Sequence, residues 1–145
     1  MLVVDDEELF RKMLVRRLSL AGCVARGAGS ADELVELLDR ETFDLILVDH
    51  HMPGTTGLRT LRRLRASHRL PAAILMTGAA DIEIRVEALS LGTHVIEKPF
   101  EFEKLRRVAV LLLLSRRFDG SAAAKGDQEG IKTRFRLAPT PHRPR

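Results

Sequence analysis

Two short stretches of this chain, Phe43 to Val48 and Ala72 to Met76, are apolar at nearly every position. A strand with one face in water alternates apolar and polar residues, whereas a strand covered on both faces has no need to. The two runs therefore demand helices above and below one parallel sheet. Shorter apolar runs at Leu2 to Val4 and Val95 to Ile96 supply further strands, and another is expected near Cys23 to Arg26, where the composition is weaker.

Between the runs the apolar residues recur at helical spacing. Phe10, Met13, Leu14, Leu18 and Ala21 form one stripe, Leu34, Leu37 and Leu38 a second, and Leu58, Leu61 and Leu64 a third. Ile82, Val86 and Leu89 give the fourth, and Leu105, Val108, Ala109 and Leu112 the fifth. Ser30 with Glu33 reads as a capping box, Asp81 as a cap for the fourth helix, and Gly92 as the left-handed residue after it. Five strand and helix units joined by right-handed crossovers predict an α/β fold. It is a doubly wound five-stranded parallel sheet, flavodoxin-like in its order 2-1-3-4-5, with helices on both faces.

The chain has 145 residues, enough for one domain with a real core. Its longest apolar run, Val108 to Leu114, is far short of the ~20 residues that cross a bilayer, and no export leader is evident. A soluble protein of the cytoplasm, with no membrane partner, is expected. Cys23 is the only cysteine and reads as a small core residue rather than a reactive thiol. The net charge of +4 is unevenly spread: residues 1–115 carry 16 Lys and Arg against 17 Asp and Glu, and residues 116–145 carry 8 against 3. The basic character belongs to the tail. With few large apolar residues, 116–145 is expected to be disordered, and its charge suits only weak phosphate contacts without sequence information. No specific nucleic-acid binding is expected from this chain.

Functional groups in doubly wound sheets gather beyond the carboxyl ends of the strands. The residues that follow the strand runs are Asp5 and Asp6, Asp49, Thr77 and Lys98, and every one is polar. Carboxylates crowded at one edge repel each other, so a cation is expected among them. Mg²⁺ takes one or two carboxylates, a carbonyl and several waters. Asp6 and Asp49 can be direct ligands, Asp5 can hold a coordinated water, and the backbone carbonyl of His51 completes the protein's share. A carboxylate surrounded by a cation, a lysine and a hydroxyl is fitted to accept a phosphoryl group as an acyl phosphate on Asp49. Lys98 would neutralise one phosphoryl oxygen, and Thr77 would donate to another once phosphate is present. Gly78 and Ala79 leave space for the incoming group. His50 and His51 read as loop residues lining the pocket rather than transition-metal ligands, because adjacent imidazoles point apart.

The segments "LVVDDEE", "DLILVDHHMPG", "AILMTGAAD" and "VIEKPF", in this order, resemble the receiver domain of two-component response regulators over residues 2–115. The resemblance implies that Asp49 is the phosphoacceptor, Asp5 and Asp6 the acidic pair, and Thr77 and Lys98 the switch threonine and the lysine. It also implies Mg²⁺ as cofactor, a sensor histidine kinase or phosphotransfer protein as donor, and a two-state surface that binds a downstream partner. Such a domain catalyses its own phosphorylation and dephosphorylation and is not a turnover enzyme. Met52, Pro53 and Gly57 match the turn after the acceptor, and Pro99 stands where the family often has a cis peptide.

Some features depart from the family pattern. Val95 stands three residues before Lys98, where the family usually has Tyr or Phe, and Gly92 lies one residue closer to the lysine than expected. The fifth helix carries "VAVLLLL", apolar all round, which suits a homodimer contact through the fourth helix, fifth strand and fifth helix, or a cover supplied by the tail. Other readings are a receiver fragment of a larger DNA-binding transcriptional regulator and an aspartyl-phosphate phosphatase. The phosphatase of the haloacid dehalogenase type places Asp-x-Asp at the end of its first strand, whereas Asp5 and Asp6 are adjacent. A flavodoxin-like electron carrier is disfavoured because "DDEE" would repel a flavin phosphate.

Overall fold

A computed structural model describes residues 1–118 of the chain. The elements run β1 (Leu2–Val4), α1 (Glu8–Leu20), β2 (Arg26–Ala28), α2 (Ala31–Arg40), β3 (Leu45–Asp49), β4 (His51–Met52), β5 (Thr55–Thr56), α3 (Gly57–Ala66), β6 (Ala72–Thr77), α4 (Ile82–Ser90), β7 (His94–Glu97) and α5 (Phe102–Phe118). Disorder is expected from Arg116 onward, but residues 116–118 continue α5, and residues 119–145 lie outside the described residues.

Five parallel strands form one sheet in the order β2-β1-β3-β6-β7. This is the doubly wound order expected from the sequence once β4 and β5 are left out of the count. Those two make a separate antiparallel pair that the sequence reading did not anticipate, closed by Pro53 and by Gly54 at φ 81°. The two wholly apolar runs become neighbours, with Leu45 opposite Ala72 and Asp49 opposite Met76. β1 has only three residues, but all are buried and paired on both sides, to β2 and to β3.

Strand side chains alternate between two cores. Leu2, Val4, Ile46, Val48 and Leu75 pack on one side with Leu34, Leu58, Leu61 and Ala88 from α2, α3 and α4. Val3, Leu45, Leu47, Ile74 and Met76 pack on the other with Leu14, Leu18, Leu105 and Ala109 from α1 and α5. Each fully buried Leu, Ile or Val contributes about 1.5–3 kcal/mol relative to exposure, so the alternation locks the register of β1, β3 and β6. Cys23 packs at the rim of the second core, and burial pushes its thiol up.

The caps follow the sequence closely. Ser30 Oγ accepts from Glu33 N–H at 3.1 Å, while the Glu33 carboxylate accepts from Gly29 N–H at 2.6 Å. Asp81 accepts from Ile84 N–H at 2.9 Å, and Gly92 has φ 66°.

Three expectations need correction. The second strand lies at Arg26–Ala28, a few residues beyond the weak apolar segment, because pairing of Arg26, Gly27 and Ala28 with Leu2, Val3 and Val4 places it. The stripe of Ile82, Val86 and Leu89 is exposed at 72%, 60% and 77%; Ala88, Leu91 and Ile84 face the core instead. α4 is apolar on several sides, and the small Ala88 allows the closer approach. Met13 also points outward, leaving Leu14 and Leu18 to anchor α1.

Candidate functional site

The sheet delivers its polar residues to one edge. Asp5 directly follows β1, Asp49 ends β3, Thr77 ends β6 and opposes Glu97, and Lys98 directly follows β7. Ladder bonds run to this edge: His50 N–H donates to Met76 O at 2.7 Å, and Lys98 N–H donates to Thr77 O at 2.7 Å.

Lys98 reaches back across the edge and binds two carboxylates. Its ammonium donates to Asp5 Oδ2 at 2.7 Å and pairs with Asp49 Oδ1 at 2.8 Å. Burial alone would lower the Lys98 pKa, but hydrogen bonds and charges from Asp49 and Asp5 outweigh it and hold the group above its ordinary value. The other carboxylate oxygens are held too: Asp5 Oδ1 accepts from Glu7 N–H at 2.9 Å, and Asp49 Oδ2 accepts from His51 N–H at 3.0 Å. Asp5 and Asp49 are therefore fixed in direction by α1, by the acceptor loop and by one shared cation.

Asp6 is the exposed member. One oxygen each from Asp5, Asp6 and Asp49 lies within 4.8 Å of the others, and this is the one group of metal-ligating side chains found among the described residues. The donors are all hard oxygens, with no thiolate or imidazole, so the set fits Mg²⁺ rather than a softer transition metal. An open cleft of about 570 Å³ adjoins it, lined by Asp6, His51, Met52, Thr56 and Arg59 among others. That cleft gives an incoming group access from solvent.

Thr77 is fully buried, and its hydroxyl is engaged in its own loop, donating to Ala79 O at 2.9 Å and accepting from Ala79 N–H at 3.3 Å. Space remains beside that loop, since a side chain at Gly78 would meet nothing within 4 Å. The peptide bond between Lys98 and Pro99 is cis. Gly57 marks the closest approach: a Cβ there would lie 2.3 Å from Asp49 O, so only glycine lets α3 begin against the acceptor strand.

The histidines divide between two surroundings. His51 is exposed at the rim of the site cleft, whereas His50 is buried and faces a second cleft between α3 and α4. The rings do not point apart as expected; they meet edge to face, with centroids 4.8 Å apart. Burial lowers the His50 pKa, with repulsion from His51 acting the same way against weaker pulls from Asp49, Glu87 and Asp81.

All five residues singled out by their positions after strands, Asp5, Asp6, Asp49, Thr77 and Lys98, thus meet at one edge. The sequence reading missed two supports on α1. Arg11 donates to the backbone carbonyl of Asp5 at 2.5 Å, and the Phe10 ring lies 4.2 Å from the Lys98 ammonium while packing edge-on against Phe100. A basic residue six positions after an acid carries no motif, so no local signal identifies Arg11.

Comparison with known proteins agrees with this geometry. A family model for the response regulator receiver domain matches residues 1–110. Among curated proteins the chain is 33% identical over 128 residues to the two-component response regulator PhoP of Pseudomonas aeruginosa, covering 87% of this chain and 57% of that one. It is 32% identical over 103 residues to the DNA-binding transcriptional regulator NtrC of Klebsiella pneumoniae, covering 70% of this chain and 22% of that one. The chain thus spans little more than half of one relative and under a quarter of the other. Among solved structures, a response regulator receiver protein from Pseudomonas putida superposes with TM-score 0.69 at 32% identity, covering 79% of this chain and 93% of that one. A CheY-like receiver domain from Methanospirillum hungatei gives TM-score 0.76 at 26% identity, over 82% and 96% of the two chains. With the fold, the order of its strands and the match over residues 1–110 in agreement, the chain belongs to the family of response regulator receiver domains.

Proposed function

We propose that Asp49 accepts a phosphoryl group from a sensor histidine kinase or phosphotransfer protein, and that the modified domain presents an altered surface to a downstream partner in the cytoplasm. The observation that carries this reading is the Asp49 carboxylate, 2.8 Å from the Lys98 ammonium and grouped within 4.8 Å with Asp5 and with Asp6, which lines an open cleft. An Asp49 oxygen attacks phosphorus from the cleft side, the bond from phosphorus to the donor breaks, and the donor leaves in line toward solvent. Lys98 already points between Asp5 and Asp49, so its charge meets a phosphoryl oxygen without reorganisation. Asp5, Asp6, Asp49 and the His51 carbonyl would hold Mg²⁺, which supplies charge neutralisation for the remaining oxygens. The Thr77 hydroxyl exchanges its bond to Ala79 for one to phosphate, and the loop after β6 follows. The domain acts on itself and has no turnover substrate.

A second reading, in which this domain serves a larger DNA-binding regulator, is supported by the share of PhoP and NtrC that the chain spans. The exposed Ile82, Val86 and Leu89 on α4, with Leu111 and Leu114 on α5, support a homodimer through these helices and β7. Sedimentation with and without beryllofluoride tests the dimer.

Treatment with acetyl phosphate and Mg²⁺, followed by intact mass measurement, tests the main reading. One phosphoryl group per chain, lost in Asp49→Asn, is expected. Steady release of inorganic phosphate without a stable adduct would indicate a phosphatase, and no adduct in the wild type would overturn acceptance by Asp49.

A further inference from the structure

A threonine at the carboxyl end of β6 needs a route by which its movement reaches the surface, and Val95 offers no rotating ring for the purpose. The structure contains another connection. The loop that holds the Thr77 hydroxyl continues to Ala80, and the Ala80 carbonyl accepts from Arg85 Nε at 3.1 Å. The same guanidinium, through its Nη2, pairs with the Glu97 carboxylate on β7. Glu97 in turn opposes Thr77 in the sheet and immediately precedes Lys98. One side chain on the first turn of α4 therefore joins the loop beyond Thr77 to the strand that carries the lysine. Arginine alone has the planar fork to serve both acceptors at once.

We propose that Arg85 is a positioning residue that ties residues 78–80 to Glu97 in the resting domain, and that this tie must loosen before Thr77 can turn toward a phosphoryl group on Asp49. The proposal rests on the function proposed above and names the regulation of that site. Contacts present only in the resting form oppose the receptive form by their own worth. Arg85 and Glu97 are each 47% exposed at the side chain, so their pair adds little to global stability, yet it acts on a loop of only three residues. Removing it favours the receptive form by about twofold to fivefold.

The full chain is tested as Arg85→Gln, Glu97→Gln and the double variant, with Arg62→Gln as a comparison that removes another α4 ion pair, to Glu87, away from this loop. Two readouts are taken: the initial rate of Asp49 labelling by limiting acetyl phosphate with Mg²⁺, and amide hydrogen exchange at Ala79 and Ala80 without any donor. The proposal expects both single variants to label about twofold to fivefold faster, and the double variant to match the singles because one connection is lost only once. Arg85→Lys, able to keep one of the two contacts, falls between. Added salt narrows the ratio of the variants' labelling rates to that of the wild type. Exchange at Ala79 and Ala80 quickens in the variants, and Arg62→Gln behaves as wild type. Wild-type labelling rates in the variants, or additive effects of the two changes, would overturn the proposal. Were even the wild type to take no label, the proposed function would fall, and exchange would judge the tie alone: unchanged protection at Ala79 and Ala80 in Arg85→Gln refutes it.

Discussion

Replacing Gly57 by Ala adds one methyl group at the point where α3 meets the acceptor strand. The new Cβ would lie 2.3 Å from the Asp49 carbonyl oxygen, 3.0 Å from its carbon and 2.9 Å from Leu75 Cδ1. An ordinary carbon to oxygen contact is about 3.3 Å or more, so helix and strand must part by roughly 1 Å. The side chain of Leu75 can rotate, but the backbone of Asp49 cannot yield without disturbing the 2.9 Å bond from Gly57 N–H to His50 O. Overpacking costs about 1–3 kcal/mol and a weakened backbone bond about 0.5–1.5 kcal/mol, against a gain of about 0.4–1 kcal/mol from stiffening the unfolded chain. The net loss is about 0.5–4 kcal/mol, which lowers the melting temperature of a domain this size by roughly 2–16 °C. Because Asp49 moves with the clash, labelling by acetyl phosphate should slow by about tenfold to a hundredfold. Gly78→Ala is the companion: it places its methyl in open space and should melt within about 2 °C of wild type. Melting curves and labelling rates of both variants decide the matter. If Gly57→Ala melted at or above the wild-type temperature and labelled at full speed, the close approach would not constrain the site.

Other perturbations probe the charges. Lys98→Gln strips the shared cation from Asp5 and Asp49, both buried, and should cost about 3 kcal/mol in urea denaturation, part of it restored by Mg²⁺; a loss under about 1 kcal/mol would show that the pairing is unimportant. Asp6→Asn removes the exposed carboxylate and should leave the metal-free melting temperature unchanged or higher, while abolishing most of the rise with Mg²⁺, about 2.7 kcal/mol at a hundredfold excess over Kd. His94 is exposed on β7, yet partial desolvation by its neighbours first, and the charges of Lys104 and Arg85 second, hold its pKa below its ordinary value. The unfolded chain therefore binds that proton more readily, so the contribution of His94 is intact above about pH 6.5 and is lost as pH falls below it. His94→Gln should flatten this part of the stability profile, and an unaltered slope would refute the assignment.

What could be read in advance follows from where physical constraint is local. β3 and β6 are buried on both faces, so their sequences admit few polar residues and announce themselves. β2 reads Arg26, Gly27, Ala28 and owes its place to pairing with β1, which no local pattern encodes. On α4 the apolar residues surround the helix, and the choice of Ala88 over Val86 as the buried contact was made by the spacing between helix and sheet. The site was legible for a related reason. β3 and β6 stay buried through their last residues, so a polar Asp49 and a polar Thr77 there stand out. Lys98 stands out by following the last apolar run at the same edge, although β7 itself ends on the exposed Glu97. Arg11, Phe10 and the link from Arg85 to Glu97 were hidden because their contacts depend on how α1 and α4 lean over the edge.

The acidic corner is the claim on which the rest depends, and locating the phosphoryl group addresses it most directly. Tandem mass spectrometry of the acetyl phosphate reaction, run side by side with Mg²⁺ and with a chelator, is predicted to find a single modified residue, Asp49, in the first sample and none in the second. A label on another residue, or on Asp49 in equal amount without the metal, would contradict the account.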